Sequence, residues 1–288
     1  MNQTYNIVMF AYNEAHNIAN SIRSIHTSVG KHLGQFFVIA NGCTDNTAAV
    51  AEKIKRDLDF TQMHVIDIAI GDKCNAWNTY IHEYSGDYAL HFFVDADVIF
   101  SENVFEQLYA KSQSALPETN AIAGLPLSGR NKDFYESLVK ERHCIFGNLY
   151  GLTYRMINLI KSKSFRLPKG LNWIDSFITK AINTDLQFHP YNLENRVTYL
   201  QNAGYRFDSL SMFKLNDVKL YKNRIARYEL GKLQEQYLDA LPVSDWPQDM
   251  DEINKDIDLK FQDITKDLTY IKTWLVKKRL SKLINHLT

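Results

Sequence analysis

Two carboxylates, Asp95 and Asp97, leave the apolar run 88–94 (YALHFFV) with only Ala96 between them. Charge emerging from a buried segment must meet water, a cation or hydrogen-bond donors, because desolvating it unpaired is costly. In extended backbone, residues two apart point the same way, so both carboxylates can converge on one ligand. Carboxylate oxygens suit hard cations, and Mg²⁺ or Mn²⁺ commonly shares one or two of them with substrate phosphates. A solvated turn or a helix cap explains a bare Asp-x-Asp equally well, so its place at a strand end is what gives it weight. A second candidate, 41–47 (NGCTDNT), follows the apolar run 36–40. Gly42 permits a tight turn there, and the next helix offers unpaired N–H groups at its start. Ordinary turn and capping chemistry is the alternative for this segment.

These positions require strands that end together. Residues 5–11 (YNIVMFA) and 36–40 (FFVIA) read as buried strands, 63–68 as a third strand candidate and 88–94 as a fourth strand. Between them, 15–29 carries Ile18, Ile22 and Ile25 at helical spacing. A helix capped by Thr44 or Asp45 runs to about Arg56, 73–84 is helical, and Ser101 caps a helix over 102–114. This β-α-β-α-β-α-β order predicts an α/β fold with a mainly parallel sheet flanked by helices. Ligands of such sheets sit beyond the carboxyl ends of strands, which marks 11–14, 41–45 and 95–97. Neither GxGxxG nor GxxxxGK[ST] occurs, which argues against a standard dinucleotide site or P-loop. Further on, 121–127 and 148–153 read as strands. Residues 132–146, 173–182 and 218–241 read as helices, and 161–170 (KSKSFRLPKG) as an exposed loop. Phe92 and Phe93 read as core, and His189 as structural or surface.

The chain has 288 residues, 45% apolar and 23% charged. That suits a soluble globular chain of one large or two modest domains and excludes disordered, collagen-like and disulfide-scaffold classes. Lys+Arg and Asp+Glu both number 33, so a global basic surface is unsupported, a local patch stays open, and no nucleic-acid partner is expected. Cys43, Cys74 and Cys144 are far apart and unpaired in spacing, which fits a reducing compartment. No leader pattern and no apolar run of about 18 residues is found, so a cytoplasmic location is expected.

Taken together, IVMFAYNEAHNIANSI, VIANGCTDNTAAVAEKI, GDKCNAWN and YALHFFVDAD resemble, in order and spacing, the family 2 glycosyltransferases. These are inverting enzymes of the GT-A fold that use nucleotide-sugar donors. The resemblance covers 5–182 well and 218–241 more loosely. It implies that Ala11, Tyr12 and Glu14 belong to the donor site, with backbone holding the nucleobase and Tyr12 stacked on it. Asn41 matches a position usually Asp, whose oxygen accepts from uracil, so a UDP-linked donor is implied. Lys73 lies near base or phosphates, Asp95 near the ribose and Asp97 on a Mn²⁺ or Mg²⁺ ion. Asp175 aligns with the catalytic base, although Ile174 replaces the preceding Glu of the family. Its alternative is a first-turn residue meeting the helix dipole. Arg224 and Arg227 resemble the (Q/R)xxRW motif, with Tyr228 for Trp, and can hold diphosphate or acceptor groups. Surface salt bridges are the alternative for both.

The implied partners are a nucleotide-sugar donor and a saccharide or lipid-linked acceptor. Residues 1–241 are expected to form the GT-A domain, with 1–115 binding donor and 116–241 acceptor. Residues 242–288 form an acidic linker and a helical C-terminal extension. The segment 261–288 holds six basic residues against two acidic, with apolar residues at helical intervals. Such a helix can make peripheral contact with the inner face of a membrane, or pack on the protein itself. Two further readings stay open, a nucleotidyltransferase of related fold and a non-catalytic nucleotide-sugar-binding protein. The first predicts a glycine-rich, basic first loop, which AYNEAHN lacks.

Overall fold

The computed structural model describes residues 2–207 and 215–285. Its elements begin β1 (Asn2–Ala11), α1 (Ile18–Ser28), β2 (Leu33–Asn41), α2 (Thr47–Asp57), β3 (Met63–Ile68) and α3 (Lys73–Thr79). A single π-helical turn extends α3 through Tyr84. Then come β4 (Tyr88–Asp95), β5 (Ile99–Phe100), α4 (Val104–Gln113), β6 (Ala121–Pro126), α5 (Lys132–Arg142), β7 (Leu149–Thr153), α6 (Tyr154–Ser162), α7 (Ile174–Asn183) and β8 (Val197–Arg206). The chain closes with α8 (Leu215–Asp239), α9 (Asp251–Leu259), α10 (Phe261–Ile264) and α11 (Tyr270–Asn285).

All eight strands form one mixed sheet in the order β3-β2-β1-β4-β7-β6-β8-β5. The first four are parallel, as the apolar runs of β1, β2 and β4 predict, whereas β3 at the sheet edge buries only Met63. β7 runs against both neighbours, and β5 against β8. Strand β4 is buried on both faces, and its aromatic residues divide accordingly. Phe92 meets Tyr5 and Phe105 at centroid distances of 5.3 and 5.2 Å. Phe93 stacks on Tyr150 at 4.8 Å, and the Trp77 indole N–H donates to the Tyr150 hydroxyl at 3.1 Å. The strand that ends in Asp95 is therefore clamped from both sides.

Several local expectations are corrected. Ser101 does not cap α4; Asn103 occupies that position in left-handed conformation, and the Ser101 hydroxyl accepts from the Gly204 N–H at 3.2 Å. The segment 161–170 is not simply an exposed loop. Lys161 and Ser162 end α6, and Phe165, Leu167 and Pro168 are buried while Lys163, Arg166 and Lys169 face solvent. Apolar residues among lysines reach inward whenever a neighbouring element offers a surface. β5, α6 and β8 have no counterpart in the sequence expectations.

The contacts divide the chain into two compact units, 1–165 with 178–208, and 166–177 with 209–288. The division falls within α7. The whole sheet belongs to the first unit. In the second, α11 packs on α8 and α9 through Leu275, Val276 and Leu280. Tyr270, Ile271 and Trp274 on the same helix remain 87, 68 and 50% exposed. The apolar stripe read from sequence thus splits into a packed face and an exposed one, and Leu287 lies outside the described residues. Among the described residues no helix is long and apolar enough to cross a membrane.

Candidate active site

In register, Phe10 pairs with Asp95, Ala11 with Ala40, and Asn41 with Ile68. The carboxyl ends of β4, β1, β2 and β3 therefore lie along one edge. Ala11 ends β1 fully buried, and its carbonyl accepts from the Cys43 thiol at 3.3 Å. Asn13 takes a left-handed conformation, and its side-chain oxygen accepts from the Thr44 N–H at 2.8 Å. The Glu14 N–H donates to the Thr47 hydroxyl at 2.8 Å. Asp45 accepts from the N–H groups of Thr47 at 3.0 Å and Ala15 at 3.2 Å. Asp45 thus serves the start of α2, as its capping residue type predicts, and also ties down the first turn.

Tyr12 projects from that turn and is 55% exposed. Gly42 has φ +60°, and a Cβ there would come within 2.3 Å of the Gly71 nitrogen. The turns after β2 and β3 touch backbone to backbone, which only glycine allows. A Cβ on Gly71 would lie 3.3 Å from the Tyr12 ring. Asn41 is buried, and its Oδ1 accepts from the Asp72 N–H at 3.0 Å. Asp72 in turn caps α3 by accepting from the Asn75 N–H at 2.7 Å. One of the two lone pairs on the Asn41 oxygen is therefore already used within the chain.

Lys73 opens α3 and donates from Nζ to Asp95 Oδ1 at 2.6 Å. Asp97 is exposed, Ala96 between the two carboxylates is buried, and the Ser21 hydroxyl holds the Ala96 carbonyl at 2.8 Å. Burial raises the Glu14 carboxyl above the ordinary range, a hydrogen bond from Asn17 opposes that, and the charges of Asp97, Asp95 and Asp45 add to the rise. The charges of Asp45, Asp95 and Asp97 thus all act on Glu14, while Lys73 pairs with Asp95. Among the described residues no group of three or more His, Cys, Asp or Glu is arranged to hold a metal. An exposed Asp97 fits a hard cation that takes its remaining oxygens from a diphosphate, since Mg²⁺-type sites need only one or two carboxylates.

Asp175 sits half-buried in the first turn of α7, in the second unit. Two residues before it, Trp173 adopts φ +59°, an unusual state for a bulky residue. Its ring meets Tyr228 edge-on at 4.6 Å, and Lys232 Nζ lies 4.0 Å from the Tyr228 ring. Gly231 lets α8 approach, because a Cβ there would come within 2.6 Å of the Trp173 Cβ. The Asn172 N–H donates to Gln234 Oε1 at 2.8 Å, and the Ser176 hydroxyl to Glu235 at 3.4 Å. Arg224 and Arg227 stand exposed on α8. Tyr228, the motif's aromatic, is committed to packing on Trp173.

Ala11, Tyr12, Glu14, Asn41, Lys73, Asp95 and Asp97 are thus gathered in the first unit. The segment of Asp175 and the helix of Arg224 and Arg227 pack together in the second. Sequence reasoning missed Gly71 and Asp72. Asp72 carried a readable signal as an N-cap type before α3.

The model of glycosyl transferase family 2 matches residues 6–166. No curated protein matches the sequence closely enough to count as a relative. Among solved structures, the mannosyltransferase PcManGT from Pyrobaculum calidifontis, in complex with GDP-Man and Mn²⁺, is similar at a TM-score of 0.62 and 15% identity. That likeness covers 95% of this chain and 72% of the other. Glucosyl-3-phosphoglycerate synthase from Mycobacterium tuberculosis, with Mn²⁺, UDP and phosphoglyceric acid, gives 0.52 and 16%, over 79% of this chain and 78% of the other. S. aureus TarS 1-349 in complex with UDP gives 0.54 and 17%, over 77% and 64%. At these identities the likenesses show the fold, which is that of GT-A glycosyltransferases. More than half of the chain matches the family model, and the chain belongs to glycosyl transferase family 2.

Proposed function

We propose that this glycosyltransferase moves a sugar from a UDP-linked donor to an acceptor hydroxyl, with inversion, using a divalent cation and Asp175 as base. The observation that carries the donor reading is the alignment of four strand ends, with Tyr12, Asn41, Lys73, Asp95 and Asp97 along one edge. Tyr12 offers an exposed ring for a base, and the second lone pair of Asn41 Oδ1 can accept from uracil N3–H. UDP in two of the similar structures supports uridine, while GDP-Man in the third is the competing choice. Mn²⁺ or Mg²⁺ on Asp97 would neutralise charge on the departing diphosphate. Asp175 would take the acceptor proton as its oxygen attacks the anomeric carbon from the face opposite the leaving group. No strong base is needed, because the proton moves only as the bond forms. Residues 1–115 would serve the donor and 116–241 the acceptor. A transfer and hydrolysis assay with UDP-, GDP- and CDP-sugars and Mn²⁺ tests this, and absence of turnover with every donor would refute it.

The acceptor is proposed to be a saccharide or a lipid-linked glycan, with the chain working in the cytoplasm at the inner face of the membrane. Support for surface contact comes from exposed Tyr270, Ile271 and Trp274 beside exposed Lys278 and Lys282, residue types suited to a bilayer interface. A non-catalytic reading has the departures at Asn41 and Ile174 in its favour. The carboxylates at Asp97 and Asp175 favour catalysis.

A further inference from the structure

At the strand edge that carries Asp95 and Asp97, the first unit holds a row of aromatic rings that its core only partly covers. Val94 of β4 pairs with Leu149 of antiparallel β7, so residues 146–148, which lead into β7, lie at the edge from which the two carboxylates leave. β6 runs opposite to β7, hence in the direction of β4, and Pro126 ends it at that same edge. Residues 127–131 lead from there into α5. Phe146 meets Tyr135 edge-on at a centroid distance of 5.1 Å, and Tyr135 meets Phe134 at 5.7 Å. Phe146 and Tyr135 are half-buried, whereas Phe134, in the first turn of α5, is 60% exposed. Of the eleven residues of α5 only Val139 is buried, so the helix lies shallowly on the sheet.

A lone exposed phenyl ring is ordinary, but three rings in contact at the edge of the candidate active site make a continuous apolar surface. The row also has a polar handle, because among the described residues the Tyr135 hydroxyl makes no hydrogen bond. A pyranose ring uses both features. Its C–H groups form an apolar face that can lie on an aromatic ring, and its rim of hydroxyls bonds a polar group beside that ring. An alkyl chain would cover the rings and leave the Tyr135 hydroxyl without a partner once water is displaced, which is costly. We infer that Phe134, Tyr135 and Phe146 form a stacking platform for a sugar ring of the acceptor, so that the acceptor reaches this edge by a carbohydrate end.

Calling that sugar the acceptor rests on the transferase reading above, but saccharide binding is measured without turnover. A chain that binds a saccharide through Phe134 and transfers no sugar from any donor would refute that reading and leave this one standing. The test is NMR titration of the full chain, with and without UDP and Mn²⁺, by maltose, cellobiose, chitobiose and mannobiose, and separately by octyl glucoside. At least one disaccharide should bind with a dissociation constant below about 20 mM. Phe134→Ala should weaken that binding by about threefold or more, and Phe134→Trp, which keeps a ring, should stay within about twofold of native. Tyr135→Phe, which removes only the hydroxyl, should also weaken it. Affinity for UDP should match the native protein in all three variants. A native chain that binds none of the four disaccharides overturns the inference, as does Phe134→Ala with native saccharide affinity. Binding of octyl glucoside alone would place an alkyl chain on the rings and overturn it too. An equal loss of UDP affinity in Phe134→Ala would give the ring to the donor, with the same consequence. If Phe134→Ala does not fold by circular dichroism, Phe134→Leu, which keeps apolar bulk without the ring, reads the same affinities.

Discussion

Lys73 Nζ lies 2.6 Å from Asp95 Oδ1, so one of the two carboxylates that end β4 already has a cation, supplied by the chain itself. The pair is about one-third exposed on both sides. Pairs this open contribute at most about 1 kcal/mol to stability. Its larger consequence is electrostatic, because an ammonium beside Asp95 opposes entry of a second cation next to Asp97. Lys73→Met should leave thermal stability nearly unchanged and raise the affinity of the nucleotide-free protein for Mn²⁺ by about fivefold to tenfold. Electron paramagnetic resonance of Mn²⁺ titrated into both proteins measures this directly. Weaker Mn²⁺ binding in the variant would mean that Lys73 does not restrain the site.

Asp97 is the exposed carboxylate of the pair and the proposed metal ligand. Asp97→Asn should lower turnover by at least about a hundredfold, the scale of lost electrostatic stabilisation of a leaving group. Excess chelator should abolish activity of the native enzyme, and Mn²⁺ should restore it. Full turnover in chelator removes the metal from the reaction.

Asp175 opens α7 beside a strained Trp173 that Tyr228 and Gly231 hold in place. Asp175→Asn should bind UDP as the native chain does by calorimetry, yet lose transfer by about a hundredfold or more. Transfer within about tenfold of native would reassign the residue to the helix start.

The base should be read by Tyr12 and Asn41. In competition against one labelled donor, UDP should outcompete GDP and CDP. Tyr12→Ala should weaken all three, since stacking tolerates any base, whereas Asn41→Ala should erase the preference and disturb the Asp72 turn. A native preference for GDP would align this site with the mannosyltransferase that it resembles in fold.

Asp185 offers a pH test in the first unit. Burial alone would raise its carboxyl, but hydrogen bonds from Arg196, Arg155 and Asn120 outweigh that and hold it far below the carboxylate range. Arg196 spans it in a two-pronged pair at 3.0 and 2.8 Å. A depressed folded-state pKa means that the stability it contributes is present above the unfolded value, near 3.9, and is lost as pH falls towards the folded one. Asp185→Asn should cost about 2 kcal/mol at neutral pH. The gap between native and variant in urea titrations should shrink below about pH 4. A gap that stays constant down to pH 2 would show that the carboxylate charge contributes nothing there.

The sequence alone determined the parallel half of the sheet and the place of its chemistry. Runs such as FFVIA and YALHFFV can only be buried on both faces, and polar residues directly after them mark strand ends. It also marked Asp45 as a capping type, because side-chain oxygens near helix starts act locally. What it did not determine depends on partners distant in the chain. The antiparallel course of β7, the placing of β8 beside β6, and the Gly42–Gly71 approach are decided by packing across the sheet. Ser101 reads as a cap, but its hydroxyl bonds Gly204, a residue 103 positions away. Arg279 reads as one more surface cation, until the packing of α11 on α8 seats it against Asn172 and within the field of Arg227. Local chemistry is written in neighbouring residues, whereas the environment of a charge exists only once tertiary contacts have removed water from it.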